Sequence, residues 1–152
     1  MNLFYLDCDI DQSVRYHCDK HVVKMCLETA QLLCTALRRY GLFAPYKATH
    51  VKHPTTLWTG DSIRHYEWLR LFGLALGKEY TWRYCKEHAS ESVIRSLPKA
   101  PAFPDEGWRE PPQAMPDEFK GPDCVAAYRK FYKVKKRPFA TWTKRPVPPF
   151  MR

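Results

Sequence analysis

Residues Tyr16–Tyr40 read YHCDKHVVKMCLETAQLLCTALRRY, and their pattern decides how the rest of the chain is read. Neither Pro nor Gly interrupts them before Gly41, so one long helix is expected over this span. Its polar residues His17, His21, Lys24, Glu28, Gln31, Thr35 and Arg38 follow one another at steps of four and three. Such a heptad row drifts only about 20° per heptad on a helix, so these groups form one narrow line. Val22, Met25, Cys26, Leu32, Leu33 and Leu37 occupy other faces. A helix this apolar away from one line is expected to be mostly buried.

A plain amphipathic helix would put that line in water. Solvated faces are wider, however, and richer in Glu/Lys pairs than a thin file of His, His, Lys, Glu, Gln and Thr. Those residue types hold protons and contact polar ligands, so a pocket along the line is expected, with Glu28, His21 and Lys24 as its catalytic candidates.

The 152 residues are enough for one domain with a real core. Hydrophobic residues make up 45%, which argues against disorder. No run approaches the roughly 18 apolar residues of a membrane span, and no basic-then-apolar leader opens the chain. The six cysteines lack CxxC spacing and read as reduced core residues of a cytoplasmic protein.

Met1–Leu6 (MNLFYL) is a short apolar run, either a lone strand or an extended segment laid over the core. Asp7, Asp9 and Asp11 suit turns and caps better than a cation site, since no Gly turn or distal Glu accompanies them. The loop Gly41–Pro54 gathers Thr49, His50, Lys52 and His53, either in water or facing the pocket. Thr59 or Asp61 is expected to cap a second long helix running to about His88, with a core stripe at Ile63, Tyr66, Leu69, Phe72, Leu76 and Tyr80. A short helical piece ends near Leu97. Pro98–Pro122 then holds seven of the thirteen prolines and reads as a connector wrapped on the surface. Pro122 opens a third helix to about Lys133. The expected fold is therefore mainly α, a compact single domain built on two long helices. An extended N-terminal segment precedes them, and the Pro-rich connector leads to a basic C-terminal helix and tail.

Charge is segregated. The first 123 residues carry sixteen acidic and sixteen basic groups, and the last 29 carry nine basic groups and no acid, which accounts for the net +9. Tyr128, Phe131, Tyr132, Phe139, Trp142 and Phe150 interleave with those charges. Basic groups neutralise phosphates and aromatics stack on bases, so nucleic acid is the expected partner. Four prolines after Lys133 exclude an amphipathic membrane helix there.

With the pocket helix and basic tail in hand, the order of motifs resembles the bacteriophage pyrimidine-dimer DNA glycosylase family, also called endonuclease V. Asp19-Lys20-His21-Val22 followed by Glu28 is similar to that family's D-x-H-L run, with its catalytic glutamate seven residues after the His. Met115-Pro116-Asp117-Glu118-Phe119-Lys120-Gly121 looks like a proline–acid–aromatic–basic–Gly segment in the family's later third, and the aromatic, basic C-terminal end also has a counterpart. The resemblance implies a compact helical enzyme that needs no metal or other cofactor and no obligate protein partner. It implies double-stranded DNA as substrate, a flipped nucleotide, attack on the sugar C1′ by the N-terminal α-amine, and strand cleavage through an imine. It places Glu28 as the catalytic glutamate and His21 as the DNA-facing histidine, in a protein working in the cytoplasm of the host cell. Leu27 and Gln31 stand where the family has arginines, and Asn2 follows Met1 where the family has a small residue. The amine is then Met1's own, or that of Lys24 or Lys20 in its place. DNA contacts are expected from His17, Lys20, Gln31, Lys52, His53, Lys135, Lys136, Arg137, Trp142, Lys144 and Arg145.

Two other readings stay open on the residues alone. His17 and His21, with Glu28 or His53, have the i, i+4 spacing of a zinc pair, although Cys18-Asp19-Lys20 stands where H-E-x-x-H has its glutamate. A non-enzymatic phage DNA-binding protein would use the polar row only as a buried hydrogen-bond network.

Overall fold

A computed structural model describes all residues from Met1 to Arg152. The chain forms six α-helices and two single 3₁₀ turns, with no strand: α1 (Ile10–Tyr16), α2 (Asp19–Arg39), α3 (Pro54–Asp61), α4 (Ile63–Tyr84), α5 (Ala89–Ser96) and α6 (Cys124–Lys135). The mainly α expectation holds, built on two long helices, α2 and α4. No helix is long and apolar enough to cross a membrane.

The helix boundaries correct the sequence reading in three places. Helix α2 starts at Asp19 because His17 and Cys18 are extended, so His17 lies outside the helix that the heptad row assigned it to. The break exists because the His17 ring is used to tie down the N-terminal segment. The second long helix is really α3 and α4, separated by Ser62 in an extended conformation. The Ser62 hydroxyl caps α4 by accepting from Arg64 N at 3.3 Å and donates to Gly107 O at 2.7 Å. Helix α6 begins at Cys124, with Asp123 rather than Pro122 shaping its start: Asp123 Oδ1 accepts from Ala126 N at 3.0 Å. Helix α2 ends as expected at Gly41, whose φ of +73° lets Leu42 N bond back to Leu37 O at 3.0 Å.

Helices α2, α4 and α5 approach closely through glycine. A Cβ on Gly73 would lie 2.7 Å from Thr29 Cγ2 and 2.8 Å from Ile94 Cδ1, so any side chain there forces Thr29 and Ile94 to shift. Leu32, Leu33, Met25, Tyr66, Leu69 and Phe72 are fully buried around it. Four cysteines (Cys18, Cys26, Cys34 and Cys124) belong to the interior. Cys8 and Cys85 face solvent, contrary to the expectation that all six are core residues.

The proline-rich connector is fastened along its length. Ile63 N donates to Pro104 O at 2.8 Å, Trp58 Nε1 donates to Arg109 O at 3.0 Å, and Phe119 packs on Phe131 at 5.3 Å. The basic tail beyond α6 is also fixed. Asp19, at the first turn of α2, accepts from Thr141 Oγ1 (2.9 Å), Thr143 N (2.9 Å) and Arg83 Nη1 (3.0 Å). Arg145 grips both carboxylate oxygens of Glu79 at 2.9 and 3.0 Å, while Glu79 also binds Arg83 Nε at 2.9 Å. These contacts lay the tail across the start of α2, beside the polar row.

Candidate active site

Met1–Leu6 has no regular secondary structure and is buried from Leu3 onward, and it runs over the start of the α2 row. Phe4 takes φ +51°, a left-handed conformation that costs a non-glycine residue roughly 1–2 kcal/mol. Its amide is held by Asn2 Oδ1 at 2.9 Å, and Asn2 Nδ2 donates to Ala114 O at 2.7 Å. The Phe4 ring stacks on His21 with centroids 4.1 Å apart and an interplanar angle of 10°. Lys136 Nζ stands 5.5 Å from the Phe4 ring centre and 5.1 Å from that of Phe131.

The two histidines of the zinc reading serve different purposes. His17 is fully buried, its Nδ1 against Ser13 O at 2.7 Å and its Nε2 against Leu3 O at 3.3 Å. Burial, foremost, pushes it down to about 4, and it reaches no DNA, contrary to expectation. His21 is 4% exposed and meets Tyr132 Oη at 2.9 Å through Nδ1. The same hydroxyl accepts from Cys18 N at 2.8 Å, and with His21 Nδ1 as the acceptor for its own proton the imidazole proton is left on Nε2. Burial first, then His17, Lys136, Lys24 and Lys20, push His21 down to about 3, so the ring is a neutral donor. No three His, Cys, Asp or Glu side chains converge as a metal-binding group. The proposed zinc pair of His17 and His21 is therefore spent on carbonyls and a phenol.

Glu28 lies two turns beyond His21, about 10 Å along the helix axis, and Thr35 lies the same distance further on. Thr35 Oγ1 receives Thr49 N at 3.1 Å and so hangs the 41–53 loop over that end of the row. Glu28 thus sits between two anchors: the Phe4–His21 stack and the Thr35–Thr49 contact. Its side chain is 16% exposed and accepts no hydrogen bond from the protein; the nearest cation is Lys24 Nζ at 4.0 Å, itself 59% exposed. That isolation is peculiar to this carboxylate among the shielded, ion-paired ones. Asp7, Asp19, Asp61, Glu79 and Glu91 are each at most 26% exposed, and each has an arginine within 3.1 Å.

On the loop, His50 adopts φ +48° and its Nδ1 meets Thr49 Oγ1 at 2.8 Å. His53 caps α3, with Nδ1 accepting from Thr55 N at 3.1 Å. Burial first, then the charge of the Met1 α-amine and of His50, hold His53 below the usual histidine value. Met1 is therefore within electrostatic reach of the loop. His53 also lines a cleft of about 820 Å³ walled by Pro111, Pro112, Gln113, Met115 and Lys120 of the connector.

The basic residues divide. Lys20, Lys24 and Lys136 surround the His21–Phe4 stack, with Lys20 Nζ 4.8 Å from the Phe139 ring. Lys135 is exposed on the last turn of α6, and Lys52 is exposed in the loop; Gln31 is half-buried on the row. The remaining expected DNA contacts are engaged within the fold. Arg145 is neutralised by Glu79, and Lys144 Nζ donates to Trp82 O at 3.1 Å. Trp142 Nε1 donates to Tyr16 O at 2.9 Å, and Arg137 holds the Met151 carbonyl. Sequence reasoning assigned these four to DNA from the basic and aromatic character of the tail, and the partners of Trp142, Lys144 and Arg145 lie 126, 62 and 66 positions away. It also passed over Asn2 and Phe4, which shape the site; only their place in an apolar N-terminal run pointed to them.

Comparison with protein-family models, curated proteins and solved structures finds no match for this chain.

Proposed function

We propose that this chain is a DNA-processing enzyme, a DNA glycosylase with abasic-site lyase activity that acts on a nucleotide turned out of the duplex. The observation that carries this reading is Glu28: a shielded carboxylate with no arginine and no protein hydrogen bond, lying on α2 between the Phe4–His21 stack and the Thr35–Thr49 contact. A carboxylate so placed is free to meet positive charge that develops on a substrate.

Glycosidic cleavage supplies that charge. As the C1′–N bond breaks, the base leaves with the bonding pair and takes up a proton, and positive charge grows over C1′ and O4′. Glu28 stabilises it, in the role the resemblance gives this residue. An amine lone pair then closes the C1′–N bond. Ring opening gives an imine, loss of a C2′ proton expels the 3′ phosphate with its bonding pair, and water releases the enzyme. Lys20 and Lys24 each offer an amine on the first turns of this row, and the Met1 α-amine lies within electrostatic reach of His53. His21 Nε2–H is a fixed neutral donor. Lys20, Lys24, Lys135 and Lys52 supply phosphate contacts around the row, as expected of a protein that grips the duplex backbone while one nucleotide is extruded.

The test is borohydride trapping on duplexes carrying abasic, dimer and modified-pyrimidine sites, followed by mapping of the adduct. A covalent adduct and strand cleavage on at least one substrate are expected. Duplex binding without an adduct or base release on any of them would leave a non-enzymatic DNA-binding protein.

A further inference from the structure

We infer that Lys136 is the amine that forms the imine, an assignment that rests on the glycosylase–lyase reading. Three features of its surroundings combine. First, the side chain is half-buried at the end of α6, with its ammonium over the faces of Phe4 and Phe131 at 5.5 and 5.1 Å. Second, it has neither a carboxylate nor a hydrogen-bond acceptor within the protein, whereas Lys24 is paired with Glu28 and Lys133 and Lys144 are tied to backbone carbonyls. Third, it belongs to a cationic cluster with Lys20 and Lys24 around the neutral His21 ring. A lysine that is desolvated and set beside other cations releases its proton more readily and becomes a nucleophile. The groups that act on it agree in direction. Burial, first, and Lys24 lower its pKa, and Cys18 opposes them weakly.

The chemistry balances without an added reagent. The neutral Lys136 amine adds to C1′ of an aldehydic sugar, and its nitrogen gives up a proton while the C1′ oxygen gains one. The carbinolamine takes up a proton from solvent on its hydroxyl and then loses water to give the protonated imine. Loss of the C2′ proton then forms the C=C bond as the C3′–O bond breaks, and the phosphate keeps the electron pair. Phe4 and Phe131 shield the new C=N bond from early hydrolysis, which gives the left-handed Phe4 backbone a chemical use. The neutral His21 ring stacks on Phe4 with centroids 4.1 Å apart.

Cyanoborohydride trapping of the full chain on an abasic-site duplex tests this. The adduct should map to Lys136. Lys136→Arg keeps the positive charge and the stem, so duplex affinity should change less than about threefold while trapping falls by roughly a hundredfold or more. A DNA-free readout guards against a folding artefact: with formaldehyde and cyanoborohydride at neutral pH, Lys136 should be methylated several-fold faster than the exposed Lys99. Equal rates, or Lys136→Arg trapping like the wild type, would overturn the assignment. An adduct on Met1, Lys20 or Lys24 removes Lys136 but leaves the enzyme reading standing. No adduct from the wild type on any duplex removes both.

Discussion

Replacing Glu28 by glutamine separates chemistry from structure more cleanly than any other change in this protein. The side chain is 16% exposed, and its one ionic neighbour is Lys24 Nζ at 4.0 Å, an i, i+4 pair whose lysine is 59% exposed. Such a pair stabilises a helix by about 0.3–0.5 kcal/mol, and Glu and Gln have nearly equal helix propensity. The carboxylate has no protein hydrogen bond to forfeit. The stability change should therefore stay below about 1 kcal/mol, or roughly 2–4 °C in Tm for a chain of this size. Removing one group that stabilises charge or moves a proton costs about 10²–10⁴ in rate, which is roughly 3–5 kcal/mol of barrier. Glu79→Gln is the structural contrast. That carboxylate is 6% exposed and faces Arg83 and Arg145 at 2.9 Å, so breaking it should cost about 3–5 kcal/mol. The assay pairs thermal melting and duplex affinity with single-turnover cleavage on whichever substrate the wild type accepts. A folded, DNA-binding Glu28→Gln protein that turns over normally would refute the catalytic role. A large drop in Tm would show that Glu28 is a structural residue whose partners differ from those described.

Charge reversal at Lys20 and Lys135 should weaken duplex binding alike for all sequences and flatten its salt dependence by about 0.9 in log–log slope for each phosphate no longer neutralised; an unchanged slope would remove these residues from the interface. Stability should decline as pH falls below about 6.5, because the unfolded histidines take up protons that His17 and His21 refuse until about 4 and 3. A second decline should follow below about 4.5. There burial alone would raise Asp19 and Glu79, but hydrogen bonds from Thr143 and Thr141 to the first, and from Arg145 and Arg83 to the second, hold both folded carboxyls low. Melting across pH, repeated with His21→Phe, separates the two phases; a flat profile between pH 4 and 6.5 would contradict the buried neutral rings. Activity should survive EDTA, since His17 and His21 are already bound to protein groups, and a drop in activity restored by added zinc would reopen the metal reading.

The long helices, the single polar row and the connector were legible because each depends on local pattern: a 3.6-residue period, a glycine stop and clustered prolines. Glu28 was legible for the same reason. Other features depend on contacts remote in sequence. The helix break at His17 is fastened by the ring's contact with Leu3 O, 14 positions back, and the one at Ser62 by a bond to Gly107, 45 positions on. Arg145 looked free because Glu79 lies 66 positions away. Phe4 gave no sign of its role, since an aromatic residue in a left-handed conformation contradicts its own local preference and is held there by Asn2, His21, Tyr132 and Lys136.

The clasp that joins Asp19 to the tail has a consequence for how the molecule comes to exist. Asp19 and Thr141 are separated by 122 positions, and Trp142 and Tyr16 by 126. Ribosomes add roughly 5–20 residues per second, so the first turn of α2 is made many seconds before the segment that covers it. Until then Phe4, His21 and the buried neutral imidazoles lack their lid. Contacts of such separation also slow folding after release. The nascent chain therefore exposes apolar surface at the very place where the finished protein is expected to hold a nucleotide, and chaperone dependence should be greatest for variants that weaken Asp19.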